Sequence, residues 1–563
     1  MPETKEWTLM FYFASDNPLA PTVVSQLKAI KNAGYHPEAN VIAQFDPQAV
    51  GTPTHIFDVN LMEKLKNPGQ SDIGFTANDP YVRKLIEDKL WSDQKNRDGK
   101  SLIRDLIKQF LADEDVAHAP YDPPTPPNNG NNEKVRPRES LWNFLKFCSD
   151  NYPARHYMLF LLGHGLVVGN DIFMFDEHAD GHSMSLLELG QVLNDFKRET
   201  DKQKAQFELV SFHSCSVSSL EVAYELQGTA NYMLASQGPA FVGSWPYRQI
   251  LLRVFNDLDK WVKRRKEINI KEMLVKIFYY CLHNSADFML AGYSFDLCLC
   301  NLNYAADVKK PIEELSDTLI FGLTKPLIRD FILLSHWKSQ SYWRESYTDL
   351  YDFCFCLSKH CKDYEETAGE MTETMGAVHK ACDEVMGVLM KEAQETDDKF
   401  TIRAEFAGPA YQYSHGLSVF FPWAEPSSDS PIMEEYQHLK FKETSWCTFL
   451  NRYFVATMRD THQSQSEFDR LRAPMLVPSA KDHLLEDIAS LVYNREGQLS
   501  NENSLNGDGN RPEKTHPNDP LGGDCTCPSI KNHPHDTRPR RVRGKQADEK
   551  SVPISEDWFK SSP

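Results

Sequence analysis

The chain has 563 residues, of which 41% are hydrophobic and 25% charged. This is ordinary globular composition and excludes whole-chain disorder, collagen-like repeats and coiled coil. Against 61 Lys and Arg stand 80 Asp and Glu, a net charge of −19, and so acidic a body is a poor partner for a phosphate backbone, so no nucleic-acid partner is expected. No stretch reaches the roughly 18 apolar residues of a bilayer span. The opening MPETKEWTLMFYFASD lacks the basic start and long apolar run of a signal peptide. A cytoplasmic setting without a membrane partner is therefore the expectation. Twelve scattered Cys are too few for a disulfide scaffold and read as reduced, buried small hydrophobes.

In chain order, Trp7 to Ala14 is an apolar run of strand length ending in the turn residues Ser15, Asp16, Asn17 and Pro18. A helix is predicted over 21–33, opening on Pro21, then a second buried strand from Asn40 to Phe45. Strands buried on both faces and separated by helices indicate a mostly parallel sheet. Residues 80–112 read as helix, and 113–139 as an acidic, Pro- and Asn-rich loop outside any core. A helix over 140–150 follows, then buried runs at His156 to Leu162, Phe207 to Phe212 and Tyr232 to Ser236. From about 250 to 400 the pattern changes to long helices, including Ile270 to Leu282, Ala306 to Leu319 and Met371 to Glu395. A late strand is expected within 410–422 and a helix over 432–457. Beyond about 497 apolar periodicity stops and the composition predicts disorder.

Two strand ends share one geometry. YMLFLLGHG ends an apolar strand at Gly163, His164 and Gly165, and FELVSFHSC ends another at Cys215, before a helix-patterned stretch. In a parallel α/β sheet functional groups collect at the carboxyl ends of strands. If the two strands are neighbours, an imidazole and a thiol meet across one cleft. That pairing suits nucleophilic catalysis, because the thiolate attacks and a neighbouring base must take its proton. The N–H groups of Gly165 and Cys215 are a natural pair of oxyanion donors. A second His-Gly pair, His415 and Gly416, precedes its apolar run and so lies at the wrong end of that strand. A buried Cys and a hydrogen-bonded structural His are the commoner uses of each residue alone, and the two motifs must be taken together.

Taken with WTLMFYFASDNPL, Phe175-Asp176-Glu177, YMLASQGPAFVGSWPY (232–247), YTDLYDF (347–353), HGLSVFFP (415–422) and YQHLKFKETSWCTFL (436–450), the pair LLGHG and FHSCSVSSLEVAYEL resembles the clostripain family of cysteine peptidases. The resemblance spans about residues 7 to 455. It implies a caspase-like α/β fold, a mostly parallel sheet flanked by helices, to which the helical patterning and the tail's composition add a mainly helical C-terminal subdomain and a disordered tail. Residues 1–300 would form the peptidase core, including the Pro-rich loop 113–139. Residues 301–460 would form the helical subdomain, 461–497 a linker or helix, and 498–563 the tail. The implied activity is endopeptidase hydrolysis by a dyad, His164 as base and acid and Cys215 as nucleophile, on a protein or peptide substrate.

The resemblance also places His213, Ser236, Gln237 and Trp245 around the pocket for the substrate's P1 side chain. Basic-specific members carry Asp two residues before the nucleophile and commonly an acid just after the pocket Ser. Here those positions hold His213 and Gln237, so the usual Arg/Lys preference is not expected unless another acid reaches the pocket; Arg248 is the nearby basic residue in sequence. Two alternatives stay open, a catalytically weak or inactive peptide-binding scaffold and a non-proteolytic Cys amidase. No cofactor is expected from the residues. Calcium is implied by resemblance alone, without an EF-hand loop, and the acidic run Asp171, Asp176, Glu177 and Asp180 reads as a solvated loop. No metal site is expected in the body, and the tail residues Cys525, Cys527, His533 and His535 are weak zinc candidates at spacings unlike a common finger. The sequence leaves oligomeric state open.

Overall fold

A computed structural model of the chain describes residues 4–17, 19–46, 55–58, 117–120, 135–165, 173–176, 183–264, 267–285, 293–342, 345–365, 369–390, 399–426 and 432–460. The helix expected over 80–112, the acidic residues Asp171, Glu177 and Asp180, the linker, and the tail with Cys525, Cys527, His533 and His535 lie outside them.

The apolar runs become strands β1 (Lys5–Phe13), β2 (Ala39–Phe45), β5 (Ala154–Leu162), β6 (Gln206–His213) and β7 (Tyr232–Ala235). They pair in parallel in the order β7-β6-β5-β1-β2. Two short strands, β3 (His55–Asp58) and β4 (Ala117–Pro120), extend one edge antiparallel. At the other edge β8 (Phe295–Asn301) runs antiparallel to β7, and β11 (Thr401–Ala407) antiparallel to β8. Among the described residues the result is one nine-stranded sheet. A smaller sheet joins β9 (Ser341–Tyr342), β10 (Tyr347–Asp349) and β12 (Ser418–Phe420) in the order β12-β10-β9.

Both faces of the large sheet are covered, which is why its central strands are buried along nearly their whole length. Helices Pro137–Asn151, Leu186–Lys202 and Leu220–Glu225 bury one face. Helix Leu186–Lys202 begins at a capping box in which Ser185 and Glu188 bond each other's backbone N–H, satisfying donors that a helix start leaves open. On the opposite face lie helices Ala20–Lys31, Tyr247–Arg264 and Ile270–Asn284. There Phe11 and Phe160, from neighbouring strands, stack at 4.9 Å with Tyr247 edge-on to both. The long C-terminal helices Lys309–Gly322, Pro326–Lys338, Leu350–Glu365, Thr372–Leu389 and Trp446–Asp460 share their buried residues with the first face in one continuous core.

Several expectations need correcting. Part of the 113–139 segment is not a loop, since Ala117–Pro120 pairs with β3; at a sheet edge the missing N–H of Pro120 can face away from the ladder. β8 falls inside the stretch expected to be helical, and β11 follows directly after it. The late strand is only Ser418–Phe420, preceded by a 3₁₀ turn at Pro409–Tyr411. The helix expected over 432–457 is split into Ile432–Tyr436, a 3₁₀ turn at Lys440–Thr444 and Trp446–Asp460, with Ser445 in the left-handed conformation between the last two. Among the described residues no helix is long and apolar enough to cross a membrane.

Candidate active site

The register of β5 and β6 carries the site. Leu162 lies opposite His213, and the Gly163 N–H continues the ladder to the His213 carbonyl at 3.4 Å. Two residues further on, both chains have left the sheet, one at His164 and the other at Cys215. Side chains alternate along a strand. Met158, Phe160 and Leu162 share one buried cluster with Leu209, and Cys215 joins it. His164 and Cys215 therefore follow adjacent parallel strands at matched positions, each two residues past the paired Leu162 and His213.

Gly165 lies directly against Cys215. A Cβ there would sit 2.3 Å from the Cys215 carbonyl oxygen and 2.9 Å from the Cys215 Cβ, so only glycine fits. Directly after Cys215 the chain turns sharply. Ser216 takes a left-handed φ of 56°, a conformation costly for a residue with a Cβ. Its N–H donates to the Gly238 carbonyl at 3.0 Å, and the Ser218 N–H to the Ser236 carbonyl at 2.8 Å. The Ala240 N–H donates to Cys215 Sγ at 3.3 Å.

Electrostatically the pair is neutral. Cys215 is 8% exposed and His164 1%. Burial raises the Cys215 thiol, opposed by its bond with Ala240 and by its own backbone N–H. Burial lowers His164 to about 4. Both ring nitrogens of His164 are buried without a hydrogen-bond partner among the described residues. The opening turn supports the loop beyond it. Asn17 donates to the carbonyls of Ala14 at 2.9 Å and Phe175 at 2.8 Å, joining the end of β1 to the stretch after the His loop.

The four pocket candidates cluster beside Cys215, but mostly as supports. His213 is buried with both nitrogens engaged, Nε2 with the Phe241 carbonyl at 2.6 Å and Nδ1 with the Tyr247 hydroxyl at 2.9 Å. Its ring stacks on Trp245 at 4.5 Å, and burial above all lowers it to about 4. An uncharged ring donating from Nε2 and accepting at Nδ1 satisfies both bonds. Trp245 is buried and donates to Ser211 Oγ at 2.9 Å. Ser236 is buried, with its hydroxyl on the Gly238 carbonyl at 3.1 Å. Arg248 donates instead to the Asn32 carbonyl at 3.2 Å.

Gln237 is the hub of a buried network. Its Nε2 donates to Asp349 at 3.1 Å, and its Oε1 accepts from Ser414 at 2.7 Å, the Gly416 N–H at 2.9 Å and the Tyr342 hydroxyl at 3.2 Å. His415, from the second His-Gly pair, belongs to this network: its N–H donates to Asp349 at 2.6 Å and its ring stacks on Tyr351 at 4.2 Å. Asp296 on β8 accepts the N–H groups of Gln237 at 2.9 Å and Gly238 at 2.8 Å. Sequence reasoning missed Asp296 and Asp349. The available signal was a single acid in an otherwise apolar strand, SFDLCLC, since a carboxylate buried there must find donors. Of the acidic run considered for calcium only Asp176 is described, and among the described residues no group of three or more His, Cys, Asp or Glu could hold a metal ion.

A thiol and an imidazole thus follow neighbouring strands of a parallel sheet that is covered on both faces. Residues 130–453, more than half of the chain, match the model of the clostripain family, and the chain belongs to that family. It is a cysteine peptidase, and its sheet is mostly parallel and flanked by helices. Among solved structures it is similar to an inactive zymogen C11 protease from Parabacteroides distasonis, at 16% identity and a TM-score of 0.42, over 79% of this chain and 99% of that one. It is also similar to a secreted C11 cysteine protease from Bacteroides thetaiotaomicron in complex with an irreversible peptide inhibitor, at 13% identity and a TM-score of 0.45, over 79% and 99%. No curated protein matches it in sequence.

Proposed function

We propose that the chain hydrolyses peptide bonds with Cys215 as nucleophile and His164 as general base and acid. The matched exit of the two residues from the neighbouring parallel strands β5 and β6 carries this reading. The free enzyme then holds a neutral thiol and a neutral imidazole, because burial raises the one and lowers the other. As Sγ attacks the scissile carbonyl carbon, its proton passes to His164. The carbonyl oxygen becomes an oxyanion facing the N–H groups of Gly165 and Cys215. Collapse breaks the C–N bond, and the imidazolium protonates the leaving amine. A water deprotonated by His164 then hydrolyses the thioester and releases Cys215. Alanine at either dyad position should cost several orders of magnitude in kcat/KM with the melting temperature retained; a folded variant with near-wild-type turnover would remove the dyad.

The P1 preference follows from the same site. His213 and Gln237, where basic-specific relatives place acids, are uncharged and engaged in internal bonds. A desolvated cationic side chain without a carboxylate partner loses roughly 2–5 kcal/mol. Matched fluorogenic peptides with Arg, Lys, Ala, Asn or Asp at P1 should therefore show less than about a tenfold advantage for Arg or Lys. A hundredfold preference for Arg would contradict the pocket reading and leave the dyad untouched. A cytoplasmic setting is a separate part of this proposal, and fractionation of the producing cells tests it.

A further inference from the structure

β7 and β8 are paired antiparallel, with Ala235 opposite Cys298. Continuing that register sets residue 237 against Asp296, at the point where the chain leaves β7. There the ladder is replaced by a side chain. The Asp296 carboxylate is fully buried and accepts the backbone N–H groups of both Gln237 and Gly238, at 2.9 and 2.8 Å. A carboxylate is the compact side chain that offers an acceptor oxygen to each of two adjacent amides.

The segment held this way encloses the nucleophile. Its Ser236 carbonyl takes the Ser218 N–H, and its Gly238 carbonyl takes the N–H of Ser216, the left-handed residue after Cys215. Its Ala240 N–H reaches Cys215 Sγ. Packing closes the other side of the turn: a Cβ on Gly238 would lie 2.8 Å from the Tyr411 ring and 3.0 Å from Asp296 Oδ1. Gln237 is fixed a second time through its side-chain amide.

We infer that Asp296 is a positioning residue for catalysis: by holding the Gln237 and Gly238 amides it sets the turn that clasps Cys215, directs the Ala240 N–H onto the sulfur and fixes the peptide that follows the nucleophile. The inference rests on Cys215 being the nucleophile. Burial of so many groups around one carboxyl also raises Asp296 to about 7 despite its two bonds, so the acid is kept at a cost in folding energy that an uncharged residue would avoid. Such a cost is common where backbone geometry serves function.

Asp296→Asn keeps the size and leaves one acceptor for two amides. With a fluorogenic peptide from the P1 series, kcat should fall ten- to a hundredfold while KM stays within threefold. Alkylation of Cys215 by iodoacetamide near neutral pH, located by mass spectrometry, should slow about fivefold or more as the sulfur loses its donor, with a melting temperature within a few degrees of wild type. A purely structural role gives the opposite pattern, since a loosened site exposes a buried thiol and alkylation speeds up as the melting temperature drops. Unchanged kcat and alkylation, or faster alkylation, would overturn the inference. Asp296→Ser serves as the second variant under the same readouts, and failure of both to fold cooperatively would also overturn it. Cys215→Ala run in parallel separates the two readings. An active Cys215→Ala defeats the dyad, whereas an inactive one beside an unaffected Asp296→Asn defeats only the role of Asp296.

Discussion

A single hydrogen at Gly165 lets the loop after β5 touch Cys215. A methyl group in its place would meet the carbonyl oxygen and Cβ of Cys215 at 2.3 and 2.9 Å, and neither atom can rotate away. Gly165→Ala should therefore push the two strand ends apart. A displacement of about 1 Å in a reacting pair costs on the order of a hundredfold in rate. The account expects kcat/KM to fall at least that far, with only a modest loss of melting temperature, in a peptide assay beside a thermal melt. Residues of this kind were partly legible in the sequence. His164, Gly165 and Cys215 announce themselves because each ends an apolar run. Asp296 does not, since its role depends on which backbone amides lie opposite it, and pairing between distant strands is not written in local pattern.

Elements around the pocket are tied to the sheet by His213, whose ring joins the end of β6 to the 241–247 segment through Phe241, Trp245 and Tyr247. Its folded value of about 4 lies below the usual value of 6.5. Above pH 6.5 the ring is neutral in folded and unfolded chains alike, and its packing contributes in full. As pH falls from 6.5 towards 4 the unfolded chain takes a proton that the folded ring refuses, and stability drops. Chemical denaturation of wild type and His213→Gln across this range should show the wild-type advantage shrinking by up to about 3 kcal/mol; a constant gap would mean that the ring is not buried neutral. The same dependence on context explains the strands that escaped the sequence. β5 ends in the continuous apolar run YMLFLL, and β6 leads straight into the Cys215 motif. β11, TIRAEFA, carries Arg403 and Glu405 at a sheet edge, and β8, FDLCLCN, carries Asp296 and Asn301, so neither stands out beside the long helical patterns around it.

At the scale of the molecule, the C-terminal helices do not hang beside the sheet. Their buried side chains merge with one of its faces. β11 closes the sheet edge, and the 414–416 segment reaches back to Gln237. The family match ends at residue 453, within helix Trp446–Asp460, whose Trp446, Phe449 and Tyr453 pack on Phe421. Residues 1–460 should therefore fold and retain activity without the remainder, as a melt and a peptide assay on the truncated chain would show; aggregation or complete loss of activity would assign the remainder a role in the fold. The central claim is that Cys215, served by His164, is the nucleophile. Its most direct measurement is covalent labelling with a thiol-directed peptide probe, the modified residue being located by mass spectrometry. The account predicts stoichiometric label on Cys215 that is lost in Cys215→Ala and strongly slowed in His164→Ala. Label on another cysteine, or undiminished labelling of Cys215 without His164, would contradict it.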